Sequence, residues 1–280
     1  MTQPLVSLRG LRVAFPDRAR KPLFGRAPMI EVVKGIDLDI PRGCALGLVG
    51  ESGSGKTTIG RALVRLIRPS GGALLYDGVD IAAFEEEQVR PLRAKLQMIF
   101  QDPQSSLNPR LTIGTTLARP LQAFARGGDA AARRRRAAEL LDIVGLPAAF
   151  LGRYPHEISG GQRQRVGIAR ALALEPEFIV ADEIVSGLDV STQAQILLLL
   201  RKLRAEFNLT LVFISHDLSV VRVLCDRVAV LSDGVLVEEG DTAAVFASPQ
   251  HAYTRALLAS VPLPEIEEGW IMAEPDAAEP

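Results

Sequence analysis

The period of the hydrophobic positions changes along the chain. Residues 5–15 (Leu-Val-Ser-Leu-Arg-Gly-Leu-Arg-Val-Ala-Phe) alternate well enough to predict an early strand. Pro16 to Met29 is rich in Pro, Arg and Gly and reads as a loop; Ile30 to Ile40 resumes strand character, and Pro41-Arg42-Gly43 is a turn. An antiparallel β-layer is therefore expected first. Ala45-Leu46-Gly47-Leu48-Val49 is a short continuous apolar run, the pattern of a buried strand. From Thr57 to Ile67 the spacing becomes helical, with Ile59, Leu63, Leu66 and Ile67 apolar and Arg61 and Arg65 between them. Leu74 to Gly78 predicts a strand ending in a turn, and Leu96 to Phe100 another, terminating at Gln101.

Strand signals vanish between Asp102 and Glu157, where Pro103, Pro109, Pro120 and Pro147 punctuate short helical pieces. Asp129 is placed to cap a helix running to Val144, with Gly145 as its left-handed stop. Arg133 to Arg136 lie inside that helix and read as a solvated face, with a partner-binding patch as the alternative. This section has the texture of a helical insertion. After Gln162 an alternation returns: a helix to Leu174, strand Phe178–Ala181, helix Ser191–Phe207, strand Leu209–Ser215, helix Leu218–Cys225, and strands Val228–Leu231 and Val235–Glu238. That βα rhythm implies a mostly parallel sheet between helices. From Pro262 the chain is rich in Pro, Glu and Ala and reads as a weakly ordered tail; no internal repeat is visible.

The chemistry begins between the first apolar run and the first helix. Gly50-Glu51-Ser52-Gly53-Ser54-Gly55-Lys56-Thr57-Thr58 fits G-x-x-x-x-G-K-[ST] in the strand–loop–helix context that pattern needs. Glycines let backbone N–H groups turn toward phosphate oxygens, and the helix N-terminus adds partial positive charge. Lys56 would reach the β- and γ-phosphates and Thr57 would offer its hydroxyl to Mg²⁺, so the chain binds ATP or GTP. Phe178-Ile179-Val180-Ala181 ends abruptly in Asp182-Glu183, at the sheet edge where ligands of open α/β sheets bind. One carboxylate suits Mg²⁺ and the next can accept a proton from attacking water. His216, after Leu211 to Ser215, repeats that placement and suits a γ-phosphate contact.

A second phosphate-binding feature follows from Ile158-Ser159-Gly160-Gly161-Gln162. Ser159 with Gln162 three residues on makes a capping box, and the two glycines leave N–H groups bare at a helix start. One nucleotide needs only one cradle, so this second one points to a nucleotide held by another chain.

Bulk properties change the picture little. At 280 residues, with 48% hydrophobic and 23% charged side chains, the chain has ample core for one large domain or two modest ones. A net charge of −1 gives no reason to expect bulk binding to nucleic acid or an anionic membrane. Cys44 and Cys225 lie far from any metal-ligand spacing and suit buried apolar positions in a reducing compartment. No signal peptide and no run of membrane-spanning length are seen, which predicts a cytoplasmic protein.

The ordered set of phosphate loop, Gln101, Ser159-Gly160-Gly161-Gln162, Asp182-Glu183, Ser186-Gly187-Leu188-Asp189 and His216 resembles the ATP-binding cassette (ABC) ATPases over nearly the whole chain. A narrower resemblance, to oligopeptide and dipeptide importers, is carried by Gly47-Leu-Val-Gly-Glu-Ser-Gly-Ser-Gly-Lys56, Ile99-Phe-Gln-Asp-Pro-Gln-Ser-Ser-Leu-Asn-Pro-Arg110, Tyr154-Pro-His-Glu157 and Phe246-Ala-Ser-Pro-Gln-His-Ala-Tyr-Thr-Arg-Ala-Leu-Leu258. Nickel and glutathione transporters share that subfamily, and the resemblance implies that cargo specificity would lie in a membrane channel and an external binding protein.

The resemblance implies an α/β fold of the P-loop NTPase cassette type, a RecA-like parallel core with an antiparallel β subdomain and a helical insertion. It divides the chain at 1–101 (β subdomain and phosphate loop), 102–157 (helical subdomain), 158–245 (signature helix and rest of the core) and 246–280 (importer-type extension and tail). It gives Gly50, Ser52, Gly53, Ser54, Gly55, Lys56, Thr57 and Thr58 to the phosphates of ATP and Thr57, Asp182 and Gln101 to Mg²⁺. Glu183 would be the general base and His216 a γ-phosphate contact. Gln101 would also sense the γ-phosphate and touch the membrane subunit. Ser159, Gly160, Gly161, Gln162 and Asp189 would complete the ATP site of an opposing cassette, and Phe15 would stack on adenine, where the family more often has Tyr.

Implied partners are integral membrane permease subunits, a second cassette (a related chain or a copy) and, indirectly, an extracytoplasmic solute-binding protein. The place implied is the cytoplasmic face of the inner membrane, with no nucleic-acid partner. Two features depart from the family. Ile184-Val185 replace the usual Pro-Thr after Asp182-Glu183, from which a local packing change is expected, and Ile158 replaces Leu before the signature. Two rival readings are a soluble ABC ATPase acting on nucleic acid or ribosomes and an inactive regulatory cassette, the latter opposed by Glu183 and His216.

Overall fold

The computed structural model describes residues 3–17, 20, 27–102 and 106–260. The tail predicted from Pro262, part of the 16–29 loop and Pro103 lie outside the described residues.

Two sheets organise the chain. Strands β1 (Val6–Pro16), β2 (Met29–Ile40), β4 (Gly71–Tyr76) and β5 (Val79–Asp80) form an antiparallel sheet in the order β2-β1-β4-β5. The other sheet runs β10-β9-β3-β8-β7-β6, built from β3 (Ala45–Val49), β6 (Leu96–Ile99), β7 (Phe178–Asp182), β8 (Thr210–Ile214), β9 (Arg227–Ser232) and β10 (Val235–Asp241). All its pairings are parallel except β9 with β10.

Period-2 alternation inside the parallel strands separates two cores. Leu46, Leu48, Phe178, Val180, Val212 and Ile214 face one side, where they meet α1 (Lys56–Leu63) and the apolar face of the antiparallel sheet. Ala45, Val49, Ile179, Ala181, Leu211 and Phe213 face the other, under α5 (Gly160–Leu172), α6 (Val190–Phe207) and α7 (Leu218–Leu224). Strands covered on both faces lose the apolar–polar alternation, which is why they read as continuous apolar runs. Cys44 and Cys225 are both buried; burial pushes the Cys44 thiol up to about 11.

Between the sheets' strands the chain adds α2 (Glu86–Leu92), α3 (Ile113–Ala123) and α4 (Ala130–Ile143), then two short 3-10 turns at Ala148–Gly152 and Pro155–Glu157. Asp129 caps α4 by accepting from Ala132 N–H at 2.7 Å, and Gly145 follows with φ 68°. After β10 come α8 (Thr242–Ala247) and α9 (Ala252–Ser260).

One helix ends earlier than its spacing predicts. The pattern gives α1 a span to Ile67, but it stops at Leu63. Arg65 adopts φ 56°, which breaks the helical path, and its buried guanidinium donates to Ile81 O at 2.9 Å and Phe84 O at 2.6 Å. Those bonds tie the chain end of α1 to the connection after β5. Leu66, predicted on the apolar face, is consequently exposed.

Candidate functional site

The phosphate-loop motif falls between β3 and α1. Gly50 takes φ 147°, and a Cβ there would lie 2.1 Å from the Leu231 carbonyl of β9, so no other residue fits without displacing backbone. Gly55, with φ 100°, opens α1. Lys56 is almost wholly buried and its Nζ donates to the carbonyls of Gly50 and Glu51, at 2.7 Å each, with the Ser54 hydroxyl at 3.4 Å. Burial lowers its pKa from the ordinary lysine value, opposed by the charges of Glu183, Asp182 and Glu51.

Three further strand ends of the parallel sheet converge on this loop. Asp182, the last residue of β7, is buried and accepts from the Thr57 hydroxyl at 3.0 Å. Burial pushes its carboxyl up, against the lowering effect of the Thr57 bond. A desolvated carboxylate beside a hydroxyl is a donor set suited to a hard divalent cation. Glu183 follows with φ 48° and donates its N–H to Ile214 O at 3.0 Å. Its side chain accepts from Gln101 Nε2, just past β6, at 2.7 Å, and lies 3.7 Å from His216 Nδ1, just past β8. Left-handed φ is uncommon for a residue other than Gly, Asn or Asp, and here it accompanies a carboxylate set between two polar side chains. A cavity of about 410 Å³ opens alongside, lined by Arg61, Phe100, Gln101, Asp102, Ser106 and Asp182.

The structure thus brings Lys56, Thr57, Gln101, Asp182, Glu183 and His216 together at the C-terminal edge of the parallel sheet. Chemically, this set offers cations and bare N–H groups for phosphates, a buried oxygen pair for a divalent ion and a carboxylate able to take a proton.

The signature residues form a separate unit. Ser159 Oγ accepts from Gln162 N–H at 3.3 Å and Gln162 Oε1 accepts from Ser159 N–H at 2.9 Å, the reciprocal box the spacing predicts. A Cβ on Gly161 would lie 2.4 Å from Thr192 Cγ2, so the glycine lets this helix start pack against the start of α6. Asp189 caps α6, accepting from Thr192 N–H at 2.9 Å, Ser191 Oγ at 2.7 Å and Thr192 Oγ1 at 2.8 Å. Among the described residues, no hydrogen bond or ion pair joins Ser159–Gln162 or Asp189 to the loop of 50–58. Phe15 is exposed near the end of β1, opposite Ile30. Ile184 and Val185 are buried in the helical-side core, an apolar substitute for the usual pair.

One contact to the loop has no counterpart in the motif reading. The Tyr253 hydroxyl of α9 accepts from Glu51 N–H at 2.9 Å, across 202 residues of sequence. Its only sequence signal is that Tyr253 belongs to the segment resembling an importer extension.

Comparison with known proteins agrees with this geometry. Residues 33–186 match the family described as ABC transporter, and residues 237–279 match the oligopeptide/dipeptide transporter C-terminal region. A candidate peptide import ATP-binding protein of Brucella ovis is 50% identical over 94% of this chain and 80% of its own length. The oligopeptide transport ATP-binding protein AppF of Bacillus subtilis is 47% identical over 93% of this chain and 79% of its own. Among solved structures, the dimeric, post-hydrolysis cassette MJ0796 bound to ADP and Pi superposes with a TM-score of 0.74 at 32% identity, covering 85% of this chain and 98% of that one. With its phosphate loop, carboxylates, Gln101 and His216 gathered at one sheet edge and more than half its length matched, this chain belongs to the ABC transporter family of ATP-binding cassettes.

Proposed function

We propose that the chain is the ATP-hydrolysing subunit of an importer of oligopeptides, dipeptides or related small solutes, working through permease subunits at the cytoplasmic face of the membrane. The observation that carries this reading is the union of a polar cluster suited to hydrolysis with a matched importer-type C-terminal region. Among the described residues no helix is long and apolar enough to cross a membrane, so permeation falls to partner chains. The relatives' names favour an importer over a soluble ATPase of nucleic acid or ribosomes.

In this mechanism the N–H groups of Ser52 to Thr58 and Lys56 bind the phosphates, with Gly50 and Gly53 allowing the loop to close on them. Thr57 and Asp182 would hold Mg²⁺ and Gln101 would monitor it; the charge such an ion supplies would offset that of the phosphates. Glu183, set by Gln101 and His216, accepts the proton of the attacking water, and His216 meets the γ-phosphate. Phe15 flanks the adenine. Residues 102–157 act as the helical arm that, with the Gln101 loop, moves the permease; 1–101 and 158–245 form the nucleotide-binding core, and 246–280 the extension.

Ser159, Gly160, Gly161, Gln162 and Asp189 face the ATP of a second cassette, a related chain or a copy, arranged head to tail. ATP then shifts an open–closed equilibrium by binding the closed pair better. A solute-binding protein outside the membrane delivers cargo to the permease and never touches this chain. The test is affinity purification of the tagged chain from solubilised membranes, followed by reconstitution with the co-purified proteins. Integral membrane subunits and ATP-dependent uptake of a labelled peptide are expected. Recovery of ribosomes or nucleic acid in their place would overturn the reading.

A further inference from the structure

We propose that Tyr253 is a positioning residue for the phosphate loop, and that through it the C-terminal segment and the nucleotide strengthen each other's seating. This rests on the reading of residues 50–58 as the phosphate-binding loop.

The peptide unit between Gly50 and Glu51 is held on both sides. Its carbonyl accepts from Lys56 Nζ at 2.7 Å, and its N–H donates to the Tyr253 hydroxyl at 2.9 Å. Rotating that plane breaks both bonds at once. Glycine at position 50 leaves its own torsions permissive, so the plane needs outside restraint to stay in one orientation. Tyr253 supplies it from a fixed position. Its ring packs against the helical-side core, alongside Phe246, Leu257 and Leu258. Glu238 of β10 accepts the backbone N–H groups of Gln250 at 2.8 Å and His251 at 2.9 Å, and His251 Nδ1 accepts from Tyr253 N–H at 3.2 Å. β10 pairs with β9, the strand whose Leu231 carbonyl presses on Gly50. The restraint and the steric floor are thus linked through the β9–β10 pair.

A loop ordered before ATP arrives costs less to fill, so the hydroxyl acts on affinity and leaves the chemical step alone. Coupling between two binding events is reciprocal: if the seated helix favours ATP, then ATP favours the seated helix.

The test uses Tyr253→Phe in the full chain, which keeps the ring and removes the oxygen. The expected result is an ATP dissociation constant raised about 2- to 10-fold, with kcat and the nucleotide-free melting temperature unchanged. In the unaltered chain, ATP is expected to slow amide hydrogen exchange over residues 252–260, and in Tyr253→Phe that slowing is lost. Unchanged affinity with ATP-dependent protection retained overturns the inference. So does a lowered melting temperature with unchanged affinity, which marks a purely structural role. Lys56→Ala separates the two levels. If it binds ATP as the parent does, the loop reading itself fails; if it loses ATP while Tyr253→Phe does not, only the role of Tyr253 falls.

Discussion

The two phosphate-binding regions differ in how far one chain completes them. At the loop of 50–58, side chains from four strand ends reach across the sheet: Thr57 to Asp182, Gln101 to Glu183, His216 beside it. At the signature, the functional side chains pair with their own sequence neighbours, Ser159 with Gln162 and Asp189 with Ser191 and Thr192. The first region is a long-range assembly, and the second is a pair of well-capped helix starts packed together through Gly161. A helix start with free N–H groups and locally satisfied side chains is a preformed surface, ready for an anion delivered from outside. In the proposed function, the loop side carries the chemistry and the signature side completes a partner's site.

Substitutions at the two regions should separate these roles. The largest effect is expected from Glu183→Gln, which removes the proton acceptor. Hydrolysis should fall about 100- to 10,000-fold with ATP binding intact and a closed, ATP-bound pair accumulating; single-turnover kinetics and chromatographic mass read both, and an unchanged rate sinks the general-base role. Next comes Ser159→Arg, which should abolish hydrolysis in the assembled state and leave the monomer's ATP affinity as it was. Weaker binding by the monomer would mean that the signature serves its own nucleotide.

Lys56→Ala should raise the ATP dissociation constant roughly 10- to 100-fold in the monomer itself, as measured by titration calorimetry. The smallest effect concerns acid stability. The Thr192 N–H, then the Ser191 and Thr192 hydroxyls, hold the Asp189 carboxyl down at about 2, below its ordinary 3.8. Its stabilisation of α6 is thus full above pH 3.8 and lost as pH falls toward about 2. In Asp189→Ala the melting temperature should depend less on pH across that window; an unchanged slope would show that the cap carries no linked stability.

Local chemistry made much of this legible in the sequence. Buried strands announce themselves as apolar runs, and each of Gly50, Asp182 and His216 follows closely on, or ends, such a run, so a parallel sheet places them on one edge. The capping box at Ser159 and the cap at Asp129 are written in residues three apart, within reach of pattern alone. The early end of α1 was not, because the bonds that hold Arg65 in its left-handed turn go to carbonyls of Ile81 and Phe84. Short elements also escape periodicity: β5 has two residues, and α2 carries Pro91 within it. Tyr253 lay furthest from reach, since nothing near it in sequence indicates a bond to Glu51.

The division of labour between loop and signature is tested most directly by the steady-state ATPase rate per molecule as the chain is diluted, alone and with a partner cassette. The rate should be near zero where the chain is monomeric and should rise only when a second cassette is supplied, by its own concentration or by a related chain. A full rate per molecule in the monomer, unchanged by concentration or partner, would contradict a site shared between two cassettes.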